Sequence, residues 1–138
     1  MNRDDCMPPP SLRIQILKHQ EKMRQKMMPQ VTQKPWGHER ILETNPTYTV
    51  KQIYVNNAQR LSEQYHKLKT ETMMLVDGIG YLQIGDETFP MEKLVPYFIP
   101  PKTIHRLMSD AFSDCLIVEI SSSELEDVVR LEDDYERE

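Results

Sequence analysis

The chain has 138 residues, 38% hydrophobic and 28% charged, enough for one domain with a modest core and too few for two. Its mean hydropathy is -0.62, and no apolar run approaches the roughly 20 residues of a membrane span, which excludes a helical membrane protein. The net charge of -5 is weighted to residues 124–138, with eight acids against Arg130 and Arg137, and no basic stripe elsewhere invites nucleic acid.

The first ten residues hold two acids and three prolines where a secretory signal needs a basic start and an apolar stretch, so the expected location is cytoplasmic. In such a reducing setting Cys6 and Cys115 are expected as two free thiols. After Pro8–Pro10, Ser11 is placed to cap a helix reaching Met28, ahead of Pro29. Leu12, Ile16, Met23 and Met27 share one face of it. A lone helix of this length is marginally stable in water, so it either docks on a neighbour, such as a second subunit, or becomes helical only on contact. Residues 1–33 therefore form an N-terminal extension, helical over 11–28, and residues 34–138 a separate domain.

From Lys34 the pattern changes to short segments rich in β-branched and aromatic residues: Tyr48–Val55, Glu71–Val76, Ile79–Ile84, Pro96–Ile99 and Cys115–Ile120. Turn signals separate them at Asn56–Asn57, Asp77–Gly78, Gly85–Asp86 and Pro100–Pro101. Closely spaced short strands without intervening helices predict an all-β barrel or sandwich and exclude a doubly wound α/β sheet.

Histidine is the commonest metal ligand, and the chain has only His19, His38, His66 and His105. Gln64 and His66 are two apart in a segment with strand alternation, so they share a face. Glu71 opens the next strand after Lys67–Thr70, and His105 follows the rigid Pro100–Pro101 turn. Taken alone, two nitrogens and two oxygens suit several first-row divalent ions, but polar residues with no metal are the simpler reading.

The spacing of the set changes that balance. Ala58-x5-Gln64-x-His66-x4-Glu71-x6-Gly78 resembles the first cupin motif, which usually starts with Gly and carries His-x-His. Pro100-x-Lys102-x2-His105 resembles the second, usually Pro-x-Gly-x2-His. Lys34-Pro35-Trp36-Gly37-His38-Glu39, Arg60-Leu61-Ser62-Glu63-Gln64-Tyr65-His66 and Val129–Tyr135 are similar to the cupin domain of type II phosphomannose isomerases, often fused to a mannose-1-phosphate guanylyltransferase. The likeness covers residues 34 to 137.

The resemblance implies a double-stranded β-helix, the cupin jelly-roll barrel, holding one divalent metal ion (Zn, Mn, Co, Ni or Fe) on Gln64, His66, Glu71 and His105. It implies aldose–ketose isomerisation of a sugar phosphate, with Lys69, Arg106 and Arg130 as the cations for substrate charge. It also implies a homodimer. The departures bear on activity. Leu68 and Thr72 stand where the family has histidines, Lys69 where it has arginine, and Met73 where it has tryptophan. Ala58, Lys102 and Glu136 replace family glycines. With no spare histidine, the general base is not legible. The alternative is a non-catalytic cupin binding a sugar or nucleotide sugar.

Other conspicuous residues have plainer readings. Trp36 is expected to cover the end of the core, and Tyr65, Met73 and Met74 to pack. Arg130 and Arg137 beside Glu132, Asp133 and Asp134 form either an ion-pair network or a ligand contact.

Overall fold

The computed structural model describes residues 2–27, 31–123 and 127–137. The chain divides into two compact units, Met1–Gln30 and Val31–Glu138. In the first, a 3-10 turn at Arg3–Cys6 precedes helix α1, Pro10–Met27. The helix starts one residue before the expected cap: the Arg13 N–H donates to the Pro9 carbonyl at 3.0 Å, so Pro10 is the first helical residue. Proline suits that position, since its φ is preset and an N–H there would have no helical partner. Leu12 and Ile16 are exposed, as are Ile14 and Leu17, so exposed apolar residues are not confined to one stripe. Met28 and Pro29, where the sequence places the helix end, lie outside the described residues.

The second unit is all-β. Its described residues form β1 (Thr32–Lys34), β2 (Gly37–Thr44), β3 (Tyr48–Val55), β4 (Glu63–His66), β5 (Glu71–Gly78), β6 (Gly80–Ile84), β7 (Glu87–Pro90), β8 (Tyr97–Ile99), β9 (His105–Ser109), β10 (Cys115–Ser122) and β11 (Val128–Glu132). They assemble into two antiparallel sheets, ordered β1-β2-β3-β10-β5-β8 and β11-β4-β9-β6-β7. Strand structure begins at Thr32, slightly before the expected boundary, because β1 pairs with β2 through Lys34↔Gly37. Gly37 is required there: a Cβ would stand 2.0 Å from the Tyr54 carbonyl oxygen.

Alternation sets what faces inward. In β10 the buried row is Cys115, Ile117, Glu119 and Ser121; in β5 it is Glu71, Met73 and Leu75. Ile117 lies opposite Ile53 and Leu75, whereas Glu119 lies opposite Lys51 and Met73, and Ser121 opposite Thr49 and Glu71. The inner face of this sheet therefore runs from apolar at one end to charged at the other. The apolar end joins Val55, Leu61, Leu82, Ile99, Leu107 and Trp36 in one core. Each such side chain contributes about 1.5–3 kcal/mol by leaving water. That core lets the opposite end carry buried charge. Cys115 is a free thiol of the core, and burial pushes it up to about 12.

Candidate metal centre

His66 closes β4, Glu71 opens β5 and His105 opens β9, so three strand ends from two sheets converge. Gln64 is the register partner of His105, which sets β4 and β9 side by side. His66 Nε2 lies 2.6 Å from Glu71 Oε1, and His105 Nε2 lies 3.4 Å from Glu71 Oε2. One ligand atom from each of the three residues falls within 4.8 Å of the others. All three side chains are enclosed, with residue exposures of 4%, 2% and 0% for His66, Glu71 and His105.

The outer nitrogens fix the tautomers. His66 Nδ1 is 2.6 Å from the Asp127 carbonyl oxygen, and His105 Nδ1 is 2.9 Å from that of Thr103. A carbonyl only accepts, so both Nδ1 atoms carry a proton, and in its neutral form each ring turns an Nε2 lone pair toward Glu71. His66 Nε2, His105 Nε2 and Glu71 Oε2 accordingly lack an aligned hydrogen-bond partner despite their burial. With neutral rings these are three buried acceptors facing one another, while Lys69 Nζ stands 3.1 Å from the other carboxylate oxygen, Glu71 Oε1. A divalent cation suits that set: two imidazole nitrogens and a carboxylate oxygen are a common donor combination for first-row ions, and carbonyl-anchored Nδ1 atoms are the usual orienting contacts.

Electrostatics point the same way. Burial opposes the charge of Glu71, but contacts with His105 and His66 and the charge of Lys69 hold its carboxyl well below the usual range. Burial also opposes a charge on His105, yet Glu71 outweighs it and raises the imidazole above its ordinary value. The centre thus attracts positive charge, as a proton or as a metal ion.

A cavity of about 140 Å³ adjoins the triad, lined by His66, Glu71 and Gln64 among others. Gln64 Oε1 accepts from the Ser62 hydroxyl at 3.4 Å. Lys69 also lines the cavity, but its Nζ sits 3.1 Å from Glu71 and 3.4 Å from Glu119, both buried. Burial works against its charge, and the two carboxylates more than restore it. Arg130 lines the cavity from β11.

Arg106 does not line it, and this corrects the expectation for that residue. As the strand neighbour of His105 it projects from the opposite face. Its Nε donates to the Leu61 carbonyl at 2.8 Å, and its guanidinium lies 3.4 Å from Glu132 and from Asp134. Arg106 ties down the C-terminal segment with Arg60, whose Nε donates to Asp134 at 2.7 Å. Arg137 clasps Asp133 at 2.8 and 3.1 Å while also lining the cavity. The pairing holds the Asp133 carboxyl down at about 2.

The cavity adds residues that sequence reasoning passed over: Lys34, Glu39, Lys51 and Glu119. Lys34 and Lys51 both face Glu39, at 3.7 and 3.4 Å. The available signal was a charged residue in phase with inward apolar ones, as Glu119 is with Ile117. Trp36 is buried in the core and also borders the cavity. The positions of the missing histidines are informative too. Leu68 is 70% exposed, Thr72 neighbours inward-facing Glu71 in β5, and neither lines the cavity.

The family described as Mannose-6-phosphate isomerase C-terminal matches residues 19–133. The chain belongs to that family. Among curated relatives, the mannose-1-phosphate guanylyltransferase RfbM of Salmonella typhimurium is 28% identical over 102 residues, covering 72% of this chain and 21% of the relative. The alginate biosynthesis protein AlgA of Pseudomonas aeruginosa is 31% identical over 107 residues, covering 75% of this chain and 22% of AlgA. The family domain here thus spans about a fifth of the length of these two relatives. Solved structures show the cupin fold. KdgF from Halomonas sp. superposes with a TM-score of 0.66 at 14% identity, covering 72% of this chain and 91% of that one. A cupin-like protein from Thermotoga maritima gives 0.63 at 18% identity, covering 70% and 76%. No helix among the described residues is long and apolar enough to cross a membrane.

Proposed function

We propose that this mannose-6-phosphate isomerase C-terminal family member is a metal-binding cupin that isomerises a sugar phosphate between aldose and ketose forms. The observation that carries it is the buried convergence of His66 Nε2, His105 Nε2 and a Glu71 oxygen with no donor among them. His66, Glu71 and His105 would hold the ion, with Gln64 beside them on the cavity wall. A bound divalent ion supplies Lewis acidity, polarising a substrate carbonyl and favouring the enediol form. The chain's own residues do the rest. Arg130 and Arg137 border the cavity and supply positive charge for a phosphate.

The name of the Salmonella typhimurium relative concerns mannose 1-phosphate and the family description mannose 6-phosphate, so mannose 6-phosphate is the first substrate to offer. Because Leu68 and Thr72 lie off the cavity, losing histidines there removes nothing from its lining. The competing reading is a sugar- or nucleotide-sugar-binding module without turnover. Lys69 favours it, since this replacement for the family arginine is already engaged by two carboxylates.

The test is metal analysis of wild type and His105→Ala, each purified without chelator or added metal, followed by a mannose 6-phosphate turnover assay. One divalent ion per chain in wild type and none in the variant is expected, with turnover in the wild type alone. A wild type that takes up neither zinc, manganese nor iron refutes the metal centre. Metal and sugar-phosphate binding without turnover establishes the binding module instead.

A further inference from the structure

Glu119 is a buried carboxylate for which the metal centre has no use. It sits in the inward row of β10, where the barrel interior passes from apolar to charged, and is 5% exposed. It lines the same cavity as His66, Glu71 and Gln64. Lys69 Nζ stands 3.4 Å from Glu119 and 3.1 Å from Glu71, so a single ammonium separates the carboxylate of the triad from this second one. Lys51, its register partner on β3, is 3.4 Å from Glu39.

The other acids and imidazoles of the cavity are committed. Among the described lining residues, those besides Glu119 are Glu39, His66 and Glu71. Glu39 is held by two lysines, and His66 and Glu71 belong to the triad. Lys69, 3.4 Å from Glu119, is also 3.1 Å from Glu71, so taking up a proton at Glu119 leaves Lys69 still partnered. Burial and the charge of Glu71 raise the Glu119 carboxyl, and Lys69 and Lys51 offset this only partly. An acid–base residue works best when its affinity for a proton is drawn toward neutrality in this way.

We propose that Glu119 is the acid–base residue that carries the substrate proton between adjacent carbons, an inference that rests on the isomerase reading above. The ionised carboxylate takes the proton from C2 of the aldose. The C2–H pair becomes the C1=C2 bond and the carbonyl π pair moves onto O1. The O2 hydroxyl proton passes to O1. The O2 lone pair then forms C2=O2, and the C1=C2 pair takes the proton back from Glu119 to make the new C1–H bond. Each bond broken is matched by one formed, and no oxidant or reductant enters. Lys69 stays charged throughout, holding Glu119 beside the triad.

The full chain is assayed with its metal restored, using mannose 6-phosphate, with kcat, KM and metal per chain measured for wild type, Glu119→Gln and Glu119→Asp. The expected result is a kcat about 100- to 10,000-fold lower in Glu119→Gln, with KM within about threefold and metal content unchanged. Glu119→Asp keeps the carboxylate at shorter reach and is expected to recover at least about tenfold over the glutamine variant. If Glu119→Gln does not fold, Glu119→Asp decides alone: a fall in kcat of about tenfold or more at constant KM supports the assignment, and an unchanged kcat overturns it. A metal-loaded Glu119→Gln with near-wild-type kcat, or a loss confined to KM, overturns the role of Glu119 while leaving the isomerase reading intact. A wild type that binds metal but does not turn over overturns both.

Discussion

Ala58, Lys102 and Glu136 hold left-handed backbone, with φ of 59°, 61° and 57°, where a Cβ crowds the neighbouring carbonyl at about 1–2 kcal/mol per residue. The family has glycine at all three positions, and the turns have kept the glycine conformation without the glycine. At Lys102 the shape is held by its N–H, which donates to the His66 carbonyl at 2.6 Å and so links the Pro100–Pro101 turn to a ligand strand. Lys102→Gly is therefore expected to raise stability by up to about 1 kcal/mol, part of the strain relief being lost to glycine's larger unfolded-state entropy. A urea titration should show a higher midpoint at constant slope, with metal content unchanged; a lower midpoint would mean that the Lys102 side chain contributes more than its backbone strain removes. The convergence of His66, Glu71 and His105 is legible in the sequence, because the cupin motifs set these positions at fixed distances from the turns around them. The expectation for Arg106 and the silence on Glu119 have one cause. Sequence adjacency put Arg106 beside His105, and an apolar neighbourhood hid Glu119, but alternation turns Arg106 away from the cavity and Glu119 into it.

The connection into β11 does more for the centre than its acidic sequence suggests. Asp127 gives its backbone carbonyl to His66 Nδ1, and its side chain accepts from the backbone N–H groups of Leu68 and Lys69 at 2.5 and 3.0 Å. One residue therefore orients a ligand ring and pins the turn leading from His66 to Glu71. Losing the side chain frees that turn and lets the carbonyl drift from the ring. Asp127→Ala is expected to weaken metal binding about tenfold, the lower range for contacts that orient a ligand, with the fold retained. A competition titration with a chelator of known affinity measures it, and wild-type affinity would show that the carbonyl is held without the carboxylate. Neither β2 nor β11 was foreseen, although β3 and β10 were. Tyr48–Val55 and Cys115–Ser122 alternate buried and less buried residues, which hydrophobic patterning detects. Gly37–Thr44 is intermediate along most of its length and carries a register shift between Ile41 and Glu43. Val128–Glu132 has no fully buried residue and ends in an acid. These strands exist because β3 and β4 offer ladders to pair with, information that lies elsewhere in the chain.

For the strand-rich unit as a whole, stability and function draw on opposite ends of one barrel. The end formed by Val55, Leu75, Leu82 and Ile117 drives folding, and the end formed by Glu71, Glu119, Lys69 and the two histidines opposes it through desolvated charge and facing lone pairs. A cation at the triad would remove part of that opposition, and metal binding would then be coupled to folding. Free metal at about 100 times its dissociation constant is expected to add about 2.7 kcal/mol, a rise in melting temperature of several degrees, and chelation should reverse it. The gain should also depend on pH with a definite sign. A histidine ligand binds metal only when its Nε2 is unprotonated, and Glu71 strengthens proton binding at His105, so protons compete with the ion increasingly as pH falls. Thermal melts with and without zinc at about pH 8 and about pH 5, either side of the ordinary histidine value, should therefore show a large zinc shift at the higher pH and a small one at the lower. In His105→Ala the shift should shrink at both. A zinc shift that survives the substitution, or that grows as pH falls, would place the ion away from the three strand ends and leave the buried lone pairs to be satisfied by a proton.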